Sequence, residues 1–393
     1  MRLGLPGFRF FCPTLLAASV VLSFAALAHA ENEGQDDLDK AFDKKLSANS
    51  VSDLGEVVDL CESAVAKGLD ANNTASANKL LVGTLMQRSN VFTKAILGRT
   101  PGWGQLRIQA ISDLEKALKV DPKLAMAELG IARLQALPGG DHAEAVKAAE
   151  KAVELTKNQH EDEADALLML ANLSDSPEKQ LDLFNQAIKV APRSAAALRE
   201  RGTFYFLSGK TEEAIADLDA AAKIDPENPE LQEARGSAYL RLKKIDKAIE
   251  AFGDLIKIDP DQPLPYLQRA FIYAQDKQND KALDDIAQAL KKNDSDKTIT
   301  VKGLLLRAQI HQQAGDKKAA RADLDEALKE KPQLQEALEW RAVLSANSGD
   351  YDQAIADFED LRKIAPKNPE LLSQLAVIYD RNKQPRKAIE LYG

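Results

Sequence analysis

The sequence repeats with a period of 34 residues, and this period constrains the fold more than any other feature. Pro192, Pro226 and Pro260 are 34 residues apart, and Pro332 and Pro366 keep the same spacing. The interval from Pro260 to Pro332 equals two periods plus four residues. A period of this length is typical of a repeat array, in which no unit buries its apolar face alone and each packs on its neighbours.

Each unit predicts two amphipathic helices. With Ala195 as position 1, the recurring residues fall at positions 4, 7, 8 and 11 and again at 20, 24 and 27, which is helical spacing. Gly209-Lys210 predicts a tight turn between the helices. Asp225-Pro226 ends the second helix, because the residue before proline disfavours the α region. Small residues at positions 8 and 20 let the two backbones approach, and a large residue at position 24 fills the space beside them.

The composition agrees with an all-α fold. The chain is 45% hydrophobic and 29% charged but only 5% aromatic, which is typical of helices rather than of a β-sandwich. Its 52 basic and 61 acidic residues give a net charge of −9. That balance argues against nucleic acid as a partner, because binding to phosphates requires a basic face.

A helix-turn-helix of 34 residues with small residues at positions 8 and 20, tyrosine at 11, a large residue at 24, alanine at 27 and proline at 32 resembles the tetratricopeptide repeat. The resemblance implies a right-handed superhelical solenoid of antiparallel helix hairpins. Three departures are present. No unit has the family's tryptophan at position 4, Gln180 replaces the small residue at 20, and Asp294 replaces the proline at 32.

These patterns divide the chain into a signal peptide (residues 1–30), a degenerate helical hairpin (31–75) and an array of nine units (76–393). The units begin at residues 76, 125, 161, 195, 229, 263, 301, 335 and 369. The first unit holds a 15-residue insertion near 87–103, either an extended helix with a longer turn or a loop that contacts a partner through Trp103. The last unit is incomplete at Gly393, so that either a partner docks there or the chain belongs to a longer polypeptide.

The N-terminal segment predicts export. Arg2 and Arg9 precede an uncharged apolar run, and Ala28-His29-Ala30 supplies the small residues of a cleavage site. We therefore expect a periplasmic or extracellular protein. The alternative is a membrane anchor formed by residues 10–28, which are close to spanning length.

Positions 7 and 23 change together across the units, which suggests that they face each other within each hairpin. The charged pairs are Arg201 with Asp217, Arg269 with Asp285, Arg307 with Asp323 and Arg341 with Asp357, and the apolar pairs are Leu167 with Leu183 and Leu375 with Leu391. Arg235 with Ala251 is the exception. We interpret the charged pairs as structural ion pairs.

The sequence predicts no catalytic site, metal site or small-molecule cofactor. His142, His160 and His311 lack the paired spacing of a helical zinc site. The glycine-rich stretches lack the Gly-Lys-Ser/Thr ending of a phosphate loop. Cys61 is expected to be a small buried hydrophobe, although an exposed thiol could pair with another chain.

In such an array we expect binding on the first helix of each hairpin. Positions 2, 5, 9 and 12 lie roughly 80–160° around the helix from position 4, which is the flank expected to line a concave groove. The candidate contact residues are Arg199, Thr203, Phe206, Glu233, Ser237, Leu240, Leu267 and Phe271. They make the groove apolar in its middle and polar or acidic beyond, which suits a peptide or helix of a partner protein. The opposing interpretation is that several of them pack against the next unit.

The sequence thus predicts a non-enzymatic scaffold that binds another protein. An alternative is that the array is the recognition arm of a larger exported enzyme or envelope-assembly protein, whose catalytic part lies beyond residue 393. A binder of envelope polysaccharide is disfavoured, because Phe206 and Phe271 are among few aromatic residues in the groove.

Overall fold

The computed structural model describes residues 33–98, 102–293 and 295–392. In this part of the chain twenty helices form. They are α1 (Gln35–Ser47), α2 (Val51–Lys67), α3 (Ala71–Leu97), α4 (Trp103–Val120), α5 (Ala125–Gln135), α6 (His142–Thr156), α7 (His160–Asn172), α8 (Pro177–Val190), α9 (Ala195–Leu207), α10 (Thr211–Ile224), α11 (Pro229–Arg241), α12 (Ile245–Ile258), α13 (Pro263–Gln275), α14 (Asn279–Lys292), α15 (Lys297–Gln313), α16 (Lys317–Glu330), α17 (Gln335–Asn347), α18 (Tyr351–Ile364), α19 (Pro369–Arg381) and α20 (Pro385–Tyr392). The predicted signal peptide, Asp294 and Gly393 lie outside the described residues.

The helices pair in chain order into hairpins, α1 with α2 through α19 with α20. The described residues up to Pro192 form one compact body, and those from Arg193 form a second. Within each body, the second helix of one hairpin also packs on the first helix of the next. The predicted all-α array of helical hairpins is therefore confirmed.

Close contact between positions 8 and 24 holds each hairpin together. A Cβ placed on Gly202 would lie 2.9 Å from Cγ of Leu218, and one on Gly236 would lie 2.7 Å from the Phe252 ring. Leu218 and Phe252 are buried. The small residue is therefore a steric requirement for the large one, as the repeat pattern predicted.

The turns inside the hairpins of the second body share a residue in the left-handed conformation. Gly209 has φ +80°, and Lys243, at the equivalent place in the next hairpin, has φ +55°. A left-handed residue is the ordinary way to reverse the chain at a helix end, and glycine adopts it with less strain than lysine. The turn therefore tolerates two residue types.

The two insertions lengthen first helices. α15 begins at Lys297, four residues before the predicted unit start, so the four extra residues of the period add one helical turn. α3 is 27 residues long and ends at Leu97, so most of the predicted insertion continues this helix. The second helix of that hairpin begins at Trp103, and residues 99–101 lie outside the described part.

All four predicted charged pairs form within their hairpins. Arg201 donates from Nε and Nη2 to the two carboxylate oxygens of Asp217, at 2.7 and 2.8 Å. The other three pairs have Arg nitrogen to Asp oxygen distances of 2.6 to 3.0 Å. Paired contacts of this kind add geometric specificity to the charge attraction.

Arg235 follows a second pattern. Its hairpin carries alanine at position 23, and its Nε instead donates to Asp219 of the preceding hairpin at 3.0 Å. Arg341 combines the two patterns. It contacts Asp357 within its own hairpin and also donates to Asp325 of the preceding hairpin at 2.6 Å. An arginine at position 7 therefore reaches 16 residues forward or 16 residues back.

Cys61 is fully buried in the core of the first body, against Val57, Leu81 and Leu85. Burial raises the pKa of its thiol to about 11, and the neighbouring Glu62 carboxylate adds to this shift. The expected buried role is confirmed. Among the described helices, none has the length and apolar character that crossing a membrane requires.

We expect the Arg201–Asp217 pair to be replaceable by two leucines but not by one. Either Arg201→Leu or Asp217→Leu removes the two-point contact and leaves the other, largely buried charge without it, which lowers the free energy of unfolding by about 3 kcal/mol. The double variant copies the Leu375 and Leu391 pair of the last hairpin. It should recover about 1–3 kcal/mol relative to the sum of the single variants, measured by urea denaturation of the full chain. Additive losses would show that the two positions are not coupled.

Candidate functional site

The second body contains a cavity of about 420 Å³ between the first helices of four consecutive hairpins. Twelve of its thirteen lining residues lie on α11, α13, α15 and α17. The lining residues are Ser237, Leu240, Phe252, Leu264, Leu267, Gln268, Phe271, Lys302, Leu305, Leu306, Gln309, Glu336 and Trp340. Eight of them are apolar, so the site is an apolar floor with polar groups at its edge.

The floor is centred on α13. Leu264, Leu267 and Phe271 recur at helical spacing and fall on one stripe of this helix. Phe271 is 44% exposed and Leu264 is 38% exposed, whereas Leu267 is only 6% exposed. A Cβ placed on Gly303 would lie 3.5 Å from Leu267, so Leu267 also packs on the next hairpin. Leu267 therefore both lines the cavity and packs on the next hairpin, so it combines the two roles that the sequence left as alternatives.

Four of the predicted contact residues line this cavity: Ser237, Leu240, Leu267 and Phe271. The structure brings them together from α11 and α13. Two further hairpins complete the lining, through α15 and α17.

The other four predicted residues lie outside the lining. Arg199 pairs with Glu200 at 2.8 Å and with Glu230 of the next hairpin at 3.3 Å. The Arg241 guanidinium stacks 3.9 Å from the centre of the Phe206 ring.

Glu233 stands at the cavity's edge, where it accepts a hydrogen bond from Nε2 of Gln268 at 3.3 Å. Thr203 is partly exposed on α9. Contacts from the neighbouring hairpin thus decide which predicted residues reach the cavity.

Sequence reasoning missed position 6 of the first helices. Gln268, Leu306 and Trp340 occupy this position and line the cavity. Position 6 lies about 200° from position 4, just beyond the arc assigned to the groove. A tryptophan at this place on α17 was the available signal, because tryptophan is enriched at binding hot spots.

A second cavity of about 760 Å³ lies between α10 and the hairpin α11–α12. In it Asp219 accepts hydrogen bonds from Nε of Arg235 at 3.0 Å and from the Tyr239 hydroxyl at 2.5 Å. Burial and this carboxylate raise the pKa of Tyr239 to about 12. The network joins adjacent hairpins, so its role is structural.

Two of the junctions beside the apolar cavity lack such an acid. Asp219, Asp325 and Glu359 occupy position 25 and bond to the following hairpin, Glu359 by accepting from the Tyr379 hydroxyl at 2.8 Å. At the two junctions that flank the α13–α14 hairpin, position 25 is occupied by Gly253 and Ala287, which carry no charge. Two of the three junctions spanned by the cavity therefore lack this bond.

No group of three or more metal-ligating side chains occurs among the described residues. The lining of the apolar cavity contains two amides, one serine, one lysine and one glutamate besides its apolar side chains. Such a lining suits binding of apolar side chains with polar contacts at the edge.

Profiles of the TPR repeat and tetratricopeptide repeat match residues 202–243, 229–262, 305–369 and 346–393. These segments match tetratricopeptide repeats. Of the cavity helices, α11 and α17 lie within them, and α15 lies within them from residue 305 onward. Such repeats typically serve as scaffolds for protein-protein interactions. No curated protein sequence matches the chain.

Several solved structures are similar to this chain. Yeast Tom70 is 17% identical, with 95% of this chain and 86% of that chain covered and a TM-score of 0.42. YrrB, described as a TPR protein with an unusual peptide-binding site, is 20% identical, with coverages of 50% and 98% and a TM-score of 0.43. PilW, a type IV pilus biogenesis factor, is 20% identical, with coverages of 50% and 90% and a TM-score of 0.41.

We expect an acid at residue 253 to add an ion pair between two adjacent hairpins. A Cβ placed on Gly253 would lie 3.5 Å from Nη1 of Arg269 in the next hairpin, within reach of an aspartate carboxylate. Gly253→Asp should be more stable than the isosteric Gly253→Asn by about 0.5–1 kcal/mol at low salt. The difference should shrink in 1 M salt, because salt screens exposed charges. Thermal unfolding measures both, and equal stabilities at low salt would contradict the expected pair.

Proposed function

We propose that this chain is a non-enzymatic scaffold that binds a segment of a partner protein in the cavity between α11, α13, α15 and α17. The observation that carries the proposal is the exposed apolar floor, in which Phe271 and Leu264 remain 44% and 38% exposed at the centre of a concave site. A site of about 420 Å³ has the size of protein sites that bury apolar groups. A partner that fills it removes this surface from water.

The occupant is a helical or extended peptide segment that inserts apolar side chains between the hairpins. Trp340 on α17 and Phe271 on α13 supply aromatic surface to the cavity from two different hairpins. Gln268 and Gln309 at the edge supply amides for hydrogen bonds to the peptide backbone.

The same proposal places the protein outside the cytoplasm, in the periplasm or the extracellular space. Its support is the sequence of residues 1–30, with Arg2 and Arg9 before the apolar run and Ala28-His29-Ala30 at its end.

Selection from a random peptide library displayed on phage tests the binding site. We expect the selected peptides to carry leucine or aromatic residues and to lose at least tenfold in affinity with Trp340→Ala, because the cavity loses one aromatic wall. Leu207→Ala is the matched control, since Leu207 is 76% exposed in the same body and is absent from the cavity lining. Selected peptides that bind Trp340→Ala as tightly as the native chain would overturn the proposal.

Intact mass spectrometry of the protein purified from its own source tests export. We expect a mature chain that begins at Glu31, because cleavage follows the small residue Ala30. A mass that retains residues 10–28 would favour the membrane-anchored alternative.

A further inference from the structure

We infer that the partner segment is cationic, with basic side chains on both sides of its apolar anchors. This inference rests on the proposed function and adds the charge of the partner to it. It follows from the charges on the first-helix flank. We define this flank as the residues at positions 2, 5, 9 and 12 of the six units that begin at residues 195, 229, 263, 301, 335 and 369, which lie on α9, α11, α13, α15, α17 and α19.

The cavity itself validates this definition of the flank. Nine of its thirteen lining residues occupy positions 2, 5, 9 or 12. The flank contains two basic residues, Arg199 and Lys302. It contains six acidic residues, which are Glu230, Glu233, Glu336, Glu339, Glu370 and Asp380. All six acidic residues are exposed.

The acidity is specific to the flank. Its formal charge is −4, whereas the other residues from 193 to 393 include 30 basic and 29 acidic side chains and sum to +1. A general acidity of the protein therefore does not account for it. Charge of one sign concentrated along a site attracts a partner of the opposite sign and speeds its association.

The acidic excess persists when the bonds made by these groups are taken into account. Arg199, one of the two cations, is already paired with Glu200 and Glu230. In the described part of the chain, Glu336, Glu339, Glu370 and Asp380 make no ion pair at 4.0 Å or less. Four carboxylates are therefore available to a partner, against one available cation, Lys302.

The positions of the acids indicate the order of charges in the partner. Glu230 and Glu233 lie on α11, on one side of the apolar floor of α13. Glu336 and Glu339 lie on α17, on the other side. A segment that places apolar side chains on Leu264 and Phe271 meets carboxylates in both directions, so lysine or arginine residues at both ends match the flank.

The flank also continues as an apolar and acidic surface beyond the cavity. Val343 on α17 and Val377 on α19 are 38% and 41% exposed, and each lies next to acidic flank positions on its own helix. An amphipathic segment several turns long would contact both the apolar and the acidic residues of this surface, whereas a single charged group would contact only one of them.

Two amphipathic peptides with the same apolar residues test the inference, one with lysine and one with glutamate at every polar position. Fluorescence anisotropy with the full chain should show the lysine peptide binding at least tenfold tighter at 50 mM salt. Its affinity should fall as salt is raised to 500 mM, because the attraction is screened. Trp340→Ala should weaken the lysine peptide, which shows that it occupies the cavity.

Charge-neutral variants assign the preference to the flank. The triple variant Glu233→Gln, Glu336→Gln, Glu339→Gln should reduce the advantage of the lysine peptide at least fivefold. The matched control is Glu213→Gln, an exposed acid on α10, a second helix, which should leave the advantage unchanged. Circular dichroism establishes that each variant keeps its helical content.

The outcomes separate the two proposals. Equal binding of both peptides, or tighter binding of the glutamate peptide, with a Trp340 dependence would overturn the cationic partner and leave the cavity as a peptide site. Binding of the lysine peptide that is indifferent to Trp340→Ala but sensitive to the triple variant would overturn the cavity and leave only an acidic surface. Binding of neither peptide would count against both.

Discussion

Every other feature of this protein depends on the close approach of two helices in each hairpin. The distance is set where a small residue at position 8 faces a large buried residue at position 24, as Gly202 faces Leu218 and Gly236 faces Phe252. Because a Cβ at Gly236 would lie 2.7 Å from the phenylalanine ring, the spacing has little freedom. The fixed hairpin in turn fixes which residues of the first helix face the next hairpin and which face the cavity.

Ion pairs add to this packing, and their arrangement differs between hairpins. An arginine at position 7 finds its carboxylate 16 residues forward in Arg201 and 16 residues back in Arg235. Other hairpins have leucine at both places, as in Leu375 and Leu391 within one core cluster. The requirement is therefore complementarity across the interface rather than a salt bridge as such, consistent with the near equivalence of buried ion pairs and apolar pairs.

The same logic explains the make-up of the apolar cavity. Where Asp219, Asp325 and Glu359 bond to the following hairpin, the junction is joined by polar groups. Where Gly253 and Ala287 take that position, the neighbouring first helices instead present Leu240, Leu267 and Phe271 to a common space. The apolar cavity and the junctions without this bond thus occur in the same stretch of the array.

The sequence by itself determined the helices, their pairing and the residues that pack inside each hairpin, because these depend on spacings within one 34-residue period. It also predicted Ser237, Leu240, Leu267 and Phe271 as contact residues, and these four line the cavity because they lie on predictable faces of single helices. Only the tertiary structure decided that Arg241 covers Phe206, that Glu230 engages Arg199, and that Trp340 from a distant hairpin completes the cavity. These outcomes depend on side-chain contacts between different hairpins, which helical periodicity does not specify.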